Sequence, residues 1–424
     1  MFATRLRWMM ASLLFLAGLI QYLDRSALSV AAPLVVKDLQ LDPAQLGIVF
    51  SSFFFGYALF CFVGGWSADK LGGKAVLLIA MTVWSVFCGL TAAATGIVSL
   101  LIYRVFFGVG EGPFSATANK LVSGWFPRRE QASAVAVCNA GTPLGGALAG
   151  PVVGFIAVTF GWRVSFIVIA LIGVGWVVLW SLLATSRAED HPRLSAAERE
   201  LIVGGREAAK PGEAMLPLSH YLRRPAVLAT AFAFFGYAYI LYFFLSWFPS
   251  YLTMAQHLTV QKMSVVTVIP WTVGFIGLVG GGFLTDAIFR RTGDPVFARK
   301  LVLVGCLLIA AVCVALAGLV ASAGAAVLLM AVSVLFMYLT GNTYWAIILD
   351  TVEPGRVGGV GGFVHLIANC AGIVAPAVTG FLVQATGAFT SAFVLAGGMA
   401  VVGALLVAAF VRRAAEPVPA TAAA

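Results

Sequence analysis

Apolar residues follow one another in long runs along nearly the whole chain, and short polar segments separate the runs. Each run is long enough to cross a bilayer as a helix, which takes about 20 residues. The alternating segments of eight to eleven residues that are typical of a membrane barrel are missing. The runs are approximately Arg7 to Val36, Ala44 to Ala68, Lys74 to Thr95, Val98 to Gly124, Ala132 to Phe160, Trp162 to Thr185, Pro225 to Met254, Met263 to Phe289, Lys300 to Ala321, Gly324 to Leu349, Gly358 to Ala385 and Phe389 to Val411. The pattern therefore predicts an all-α membrane protein with twelve transmembrane helices.

The composition excludes a water-soluble class. Of the 424 residues 61% are hydrophobic and 10% are charged, whereas soluble domains are about 25% charged. The longest polar segment, Ser186 to Arg224, is too short to close a core of its own. We therefore expect no enzymatic activity and no metal or organic cofactor.

The formal net charge of +9 is distributed unevenly between the two sides of the predicted bundle. The face that carries the start of the chain, the even-numbered loops and the C-terminal arginines holds 20 of the 26 Lys and Arg residues. They are Arg5, Arg7, Lys70, Lys74, Arg128, Arg129, Arg187, Arg193, Arg199, Arg206, Lys210, Arg223, Arg224, Arg290, Arg291, Arg299, Lys300, Arg356, Arg412 and Arg413. The positive-inside rule then predicts that both termini and the central loop are cytoplasmic. The charge reflects topology rather than affinity for nucleic acid, and this face is suited to anionic lipid head groups.

An internal repeat divides the chain into two halves. Gly65 and Asp69 show the same Gly-x-x-x-Asp spacing as Gly282 and Asp286, each at the end of the second helix of its half. Two related six-helix halves are typical of a transporter that rocks around a central site. The predicted units are a first half at 1–185, a cytoplasmic linker at 186–224, a second half at 225–413 and a disordered tail at 414–424.

A glycine-rich charged turn follows the second helix, from Gly65 to Lys74. An acidic residue at a helix end can hold partners from a neighbouring helix in one conformation, so Asp69, Lys70 and Asp286 are candidate gating residues. The alternative interpretation is a solvated turn without a functional role.

The turn and several other motifs resemble the major facilitator superfamily, and within it the anion:cation symporter family. The turn has Gly73 in place of one of the usual basic residues. The other motifs are Tyr22-Leu-Asp24-Arg25, Phe54-Phe55-Gly56-Tyr57, Arg104-Val-Phe-Phe-Gly108, Gly108-Val-Gly-Glu111-Gly-Pro, Trp125-Phe-Pro, Gly146-x-x-x-Gly150-Pro151-x-x-Gly154 and Trp247-Phe-Pro. Bacterial members of that family carry sugar acids and other organic acids together with protons. The resemblance therefore implies import of an organic anion by proton symport.

Four charged residues lie well away from the ends of predicted spans, and each would be unfavourable by roughly 2.5 to 3.5 kcal/mol at a helix centre. Asp24 and Arg25 lie in the first helix, and Arg104 and Glu111 lie seven residues apart on one face of the fourth. A structural interpretation is a pair of buried salt bridges. The functional one is that Arg25 or Arg104 binds a substrate carboxylate while Asp24 and Glu111 exchange protons. The family resemblance implies that Asp24 and Glu111 are proton carriers and that Arg25 of the first helix binds the substrate, and we expect Glu111 to be the essential proton carrier.

Aromatic and amide side chains inside the spans are candidates for the wall of a substrate cavity. The site prediction includes Tyr22, Tyr57, Tyr242, Trp345 and Asn369 as substrate-binding residues, although helix packing or interfacial anchoring would equally explain each of them.

His365 is also a predicted substrate-binding residue. It stands where many family members have the first asparagine of an Asn-x-x-x-Asn pair. It is either a neutral histidine that bonds between helices or a substrate ligand whose charge changes with pH.

The sequence thus predicts a proton-coupled symporter of the cytoplasmic membrane that imports a small organic acid anion by alternating access and works as a monomer. The expected substrate is a sugar acid: a hexuronate, an aldonate or an aldarate. Two alternatives remain at this point. The glycines of the fifth helix resemble a motif of drug antiporters, which would suit a proton-coupled exporter, and a non-transporting receptor could be built on the same fold.

Overall fold

The computed structural model describes residues 6–205, 217–352 and 356–411. These residues form seventeen α-helices and two short 3₁₀ turns, and they contain no strand. The helices are α1 (Leu6–Leu39), α2 (Pro43–Leu71), α3 (Gly73–Leu90), α4 (Ile97–Glu111), α5 (Phe114–Trp125), α6 (Arg128–Phe160), α7 (Trp162–Leu183), α8 (Ala196–Gly204), α9 (Leu218–Leu222), α10 (Pro225–Met254), α11 (Val260–Val266), α12 (Val268–Thr292), α13 (Pro295–Ala317), α14 (Ala323–Leu339), α15 (Thr343–Thr351), α16 (Val357–Thr386) and α17 (Thr390–Phe410).

Twelve stretches of the described chain are long and apolar enough to cross a membrane, and each overlaps one predicted run. The all-α fold class is confirmed. Three of the twelve consist of two helices rather than one: α4 with α5, α11 with α12, and α14 with α15. The first of these breaks falls at Gly112 and Pro113, because proline has no N–H to donate and its ring clashes with the preceding turn. Glu111 is consequently the last residue of α4.

Helices α1 to α7 pack on one another as a first set, and α10 to α17 pack on one another as a second set. The segment between the sets is docked at both of its described ends. Glu198 of α8 accepts hydrogen bonds from the backbone N–H groups of Leu6 and Arg7, and Leu218 of α9 lies against Gly359 of α16. The predicted domain boundaries remain predictions, and 206–216 and the tail at 414–424 lie outside the described residues.

The two sets touch at the end of the bundle opposite to α8 and α9. We call this the loop end, and the end with α8 and α9 the linker end. At the loop end the backbone N–H of Ala44 donates to Gln384 Oε1 at 3.0 Å. A Cβ atom added to Gly47 would lie 2.6 Å from the carbonyl oxygen of Pro376, and one added to Gly150 would lie 2.2 Å from that of Ser264. Glycine therefore lets the two sets meet backbone to backbone at this end.

Replacing Gly47 by alanine should prevent this closure, because the added methyl group would overlap the Pro376 carbonyl. We expect conformations open at the loop end to gain population. Spin labels on Lys37→Cys and Ala385→Cys, in a background without native cysteines, should report longer distances across the loop end. Gly175→Ala is the control, since nothing lies within 4 Å of that added methyl group. Equal distances in the two variants would contradict the role assigned to Gly47.

Candidate functional site

The close crossing of α2 and α4 builds the base of the site. A Cβ atom at Gly108 would lie 2.0 Å from the carbonyl oxygen of Phe53, and one at Gly56 would lie 2.1 Å from that of Val105. No larger residue fits at either position, so both glycines bring the two backbones into direct contact. This crossing places the aromatic side chains of α2 beside the charged side chains of α4.

A buried ion pair joins α1 and α4 of the first set, on the side of that set that contacts the second set. Arg25 of α1 donates from Nη2 to Glu111 Oε2 at 2.6 Å and from Nε to the same oxygen at 3.2 Å. The Arg25 side chain is 3% exposed and the Glu111 side chain is 0% exposed. The second oxygen, Glu111 Oε1, has no hydrogen-bond partner among the described residues. One carboxylate oxygen thus carries the whole interaction with the guanidinium group.

Aromatic rings surround Arg25 on several sides. Its Cζ lies 4.7 Å from the ring centre of Tyr57, 4.8 Å from that of Phe53, 5.1 Å from that of Tyr22 and 5.9 Å from that of Phe54. Such cation–π contacts stabilise a desolvated cation by about 2 kcal/mol or more each, whereas the idealised cost of desolvating such a cation is about 20 kcal/mol. They compensate only partly for lost hydration, so Arg25 still requires an anion.

The other two ionisable residues do not form a second salt bridge. Arg104 stands over the rings of Phe53 and Phe107, with its Cζ 5.0 Å from both ring centres. Its Nε and both carboxyl oxygens of Asp24 lack hydrogen-bond partners among the described residues. Of the two salt bridges in the structural interpretation, the described residues form one, between Arg25 and Glu111. The Phe53 ring contacts the guanidinium groups of both Arg25 and Arg104.

The second set contributes a hydrogen-bonded wall. Tyr242 Oη of α10 donates to Asn369 Oδ1 at 2.9 Å, and Asn369 Nδ2 lies 3.0 Å from His365 Nδ1. Because an amide nitrogen can only donate, His365 Nδ1 accepts this bond and the ring proton resides on Nε2. His365 is therefore neutral here and has an N–H group available for a ligand.

Ring contacts join this wall to the arginine side. Phe54 and Tyr242 have ring centres 4.2 Å apart, which brings α2 of the first set against α10 of the second. The Trp345 ring lies 6.1 Å from that of His365, and Trp345 is 41% exposed. The structure thus brings the predicted substrate-binding residues of both sets around one central region, and their roles stay predictions.

The predicted gating residues lie apart from that region. Asp69 forms an ion pair with Lys120 of α5, a partner that the sequence pattern does not single out. The Lys70 ammonium lies 4.1 Å from the Trp66 ring centre, and exposed Asp286 lies near Arg299 of α13. Within the described residues, no three His, Cys, Asp or Glu side chains group as metal ligands would.

Comparisons with known proteins place this geometry in a family. The family model described as Major Facilitator Superfamily matches residues 14–365. The chain belongs to the Major Facilitator Superfamily. It is 54% identical over 401 residues to the hexuronate transporter of Bacillus subtilis (strain 168), covering 94% of this chain and 93% of that relative. It is 32% identical to the probable galactarate/D-glucarate transporter GarP of Escherichia coli (strain K12), covering 92% and 91%.

Solved structures show the same fold. The xylose transporter XylE from E. coli, in its inward open conformation, superposes with a TM-score of 0.77 at 15% sequence identity and covers 97% of both chains. This member of the superfamily is thus a multi-pass membrane transporter and not an enzyme.

The ion pair predicts an asymmetric response to mutation. Glu111→Leu leaves Arg25 buried, charged and without its counter-ion, because arginine does not lose its proton in proteins. Arg25→Leu leaves Glu111, which can become neutral by binding a proton. We expect Glu111→Leu to lower the free energy of unfolding by about 3–5 kcal/mol and Arg25→Leu to lower it by less.

Thermal unfolding of the purified protein in detergent measures both variants, and the double variant serves as the control. It should be more stable than Glu111→Leu alone, because it contains neither charge. Equal losses in the two single variants would contradict the asymmetry.

Proposed function

We propose that this protein is a proton-coupled symporter that imports a hexuronate by alternating access. The observation that carries the proposal is the buried ion pair between Arg25 and Glu111, at the boundary between the two sets of helices. An arginine there can bind the carboxylate of a sugar acid, and an acid bonded to that arginine can carry the coupled proton.

The substrate class rests on the relatives and on the chemistry of the wall. A hexuronate has one carboxylate and several hydroxyl groups. Arg25 would bind the carboxylate, and Tyr22 and Tyr57 beside it offer hydroxyl groups. His365 and Asn369 would bind the hydroxyl groups from the opposite side. A cation at one end of the site and hydrogen-bonding side chains around the rest suit a sugar acid better than a neutral hexose or a lipophilic cation.

Coupling follows from competition for Arg25. An ionised Glu111 and a substrate carboxylate would each neutralise the guanidinium group, and the buried site does not accommodate an uncompensated charge. When Glu111 binds a proton, it becomes a poor partner and the substrate carboxylate can replace it. When the substrate leaves, Glu111 releases its proton and restores the ion pair. Proton and anion therefore bind together.

We assign the linker end to the cytoplasmic side of the bacterial inner membrane, because most Lys and Arg residues lie at that end. Both termini would then be cytoplasmic. The backbone contacts at the loop end would then close the side of the membrane opposite to the cytoplasm. Asp69, Lys70 and Asp286 would act in gating at the cytoplasmic ends, lipid head groups would contact the basic face, and the monomer would be the working unit.

Uptake into proteoliposomes under an imposed inward proton gradient tests the proposal. The panel compares a hexuronate, an aldonate and an aldarate with a neutral hexose and a cationic dye. We expect the hexuronate to accumulate and a protonophore to abolish the accumulation. Movement of the dye alone, against the opposite gradient, would support an exporter. Binding of an acid without flux would support a receptor.

Glu111→Gln tests the proton assignment. Glutamine keeps an oxygen that accepts from Arg25 but cannot exchange a proton at physiological pH. We expect proton-driven accumulation of hexuronate to fall to background while counterflow exchange is retained. Glu200→Gln is the matched control, because Glu200 is an exposed residue of α8 outside the central region, and it should keep uphill transport. Uphill uptake by Glu111→Gln would reject Glu111 as the proton carrier.

His365→Asn tests the substrate-binding wall. The Nε2–H of His365 extends farther from the helix than an asparagine amide, so the variant should bind a hexuronate less tightly and tolerate longer or bulkier acids better. Loss of one hydrogen bond predicts a rise of about tenfold in the half-saturating hexuronate concentration. Competition uptake with the three acids measures the change. An unaltered order of preference would remove His365 from the site.

A further inference from the structure

Two buried aromatic rings cross from one set of helices to the other, between the central region and the loop end. Phe54 of α2 lies on Gly372 of α16, where an added Cβ atom would lie 2.2 Å from the Phe54 Cδ1 atom. Trp271 of α12 lies on Gly146 of α6, where an added Cβ atom would lie 2.6 Å from the Trp271 Cδ2 atom. Each ring thus occupies the space that a side chain would take at a glycine of the opposite set.

Both rings also contact the candidate site. The ring centre of Phe54 lies 4.2 Å from that of Tyr242 and 5.9 Å from Arg25 Cζ. The ring centre of Trp271 lies 5.9 Å from that of Tyr22, and the Tyr22 ring centre lies 5.1 Å from Arg25 Cζ. One ring from each set therefore meets a predicted substrate-binding tyrosine of the other set.

The internal repeat of the chain relates these two contacts. Trp271 follows Phe54 by 217 positions, which is also the separation of the two Gly-x-x-x-Asp turns. Gly372 follows Gly146 by 226 positions. The rings and the glycines beneath them therefore stand at equivalent places in the two halves. Motion of one such half against the other provides alternating access in repeated transporter folds.

The backbone contacts of the loop end follow the same relation. Ser264 follows Gly47 by 217 positions, and Pro376 follows Gly150 by 226 positions. Within α2, Gly47 precedes Phe54 by two turns of helix, or about 10 Å, so the ring lies deeper than the backbone contact. The loop end is thus closed in two layers: backbone against backbone outermost, and ring on glycine next to the candidate site.

We propose that Phe54 and Trp271 are paired gate residues that close the substrate site on the loop-end side. Each ring seats on a glycine of the opposite set when the sets meet at the loop end, and it leaves that glycine when they separate there. Gly146, the first glycine of the motif that resembles drug antiporters, serves here as the seat of Trp271. The inference rests on the alternating access proposed above and adds two residues that the site prediction does not contain.

Gly146→Ala places a methyl group in the space of the Trp271 ring, and Gly372→Ala does the same to the Phe54 ring. Overpacking of this kind disfavours the packed state enough to shift an equilibrium by about tenfold. We expect the ratio of open to closed conformations at the loop end to rise by about tenfold in each variant. Spin labels on Lys37→Cys and Ala385→Cys, in a background without native cysteines, measure the two populations.

Paired substitutions show whether each ring acts through its own glycine. Alanine in place of a ring removes the atoms that the added methyl group would overlap. Trp271→Ala should therefore restore the short distances to Gly146→Ala, and Phe54→Ala should restore them to Gly372→Ala. The exchanged combinations, Phe54→Ala with Gly146→Ala and Trp271→Ala with Gly372→Ala, are the matched controls. They should keep the long distances, because the obstructed ring is unchanged.

Restoration by the matched partner alone supports the paired gate. Unchanged distances in both glycine variants, or equal restoration by matched and exchanged partners, would overturn it. If a glycine variant does not fold, recovery of folded protein in its matched double variant alone supports the pairing, and recovery in both combinations or in neither overturns it. Failure of the wild type to accumulate hexuronate overturns the proposed function instead, and the spin-label distances are measured independently of it.

Discussion

The arrangement of the site depends on one interaction: the buried ion pair between Arg25 and Glu111. Arg25 cannot become neutral, and cation–π contacts with four rings compensate only in part for its lost hydration. Glu111 supplies the required charge through a single oxygen. Under the proposed function, a substrate carboxylate would supply the same charge, and the ion pair would then link proton binding to anion binding through one position.

The rest of the fold holds that pair beside the contact between the two sets of helices. The α2–α4 crossing at Gly56 and Gly108 packs the aromatic rings against the charges. The break at Pro113 ends α4 directly after Glu111. At the loop end, backbone contacts join the sets. A change in how the sets meet would therefore change which side of the membrane the ion pair faces.

Much of the fold could be predicted from the sequence, since the length of the apolar runs predicts twelve membrane spans. Isolated charges inside the spans indicate the candidate site. Which of the four charged side chains pair with each other could not be predicted, because residue spacing along α4 gives no information on contacts with α1. The structure shows that Arg25 bonds to Glu111 and that the Asp24 carboxyl group has no hydrogen-bond partner among the described residues. The breaks that divide three of the spans into two helices each could not be predicted from the sequence either, except for the break at Pro113. Lys120 belongs to no motif, and only the packing of neighbouring helices shows that it pairs with Asp69.

The central claim is that substrate and ionised Glu111 compete for Arg25, and calorimetry of hexuronate binding tests it most directly. Titrations of the purified protein in buffers of different ionisation enthalpy give the number of protons taken up for each substrate bound. Competition predicts net proton uptake by the wild type near neutral pH, and less uptake by Glu111→Gln. Hexuronate binding by the wild type with no proton uptake at any pH would contradict the account.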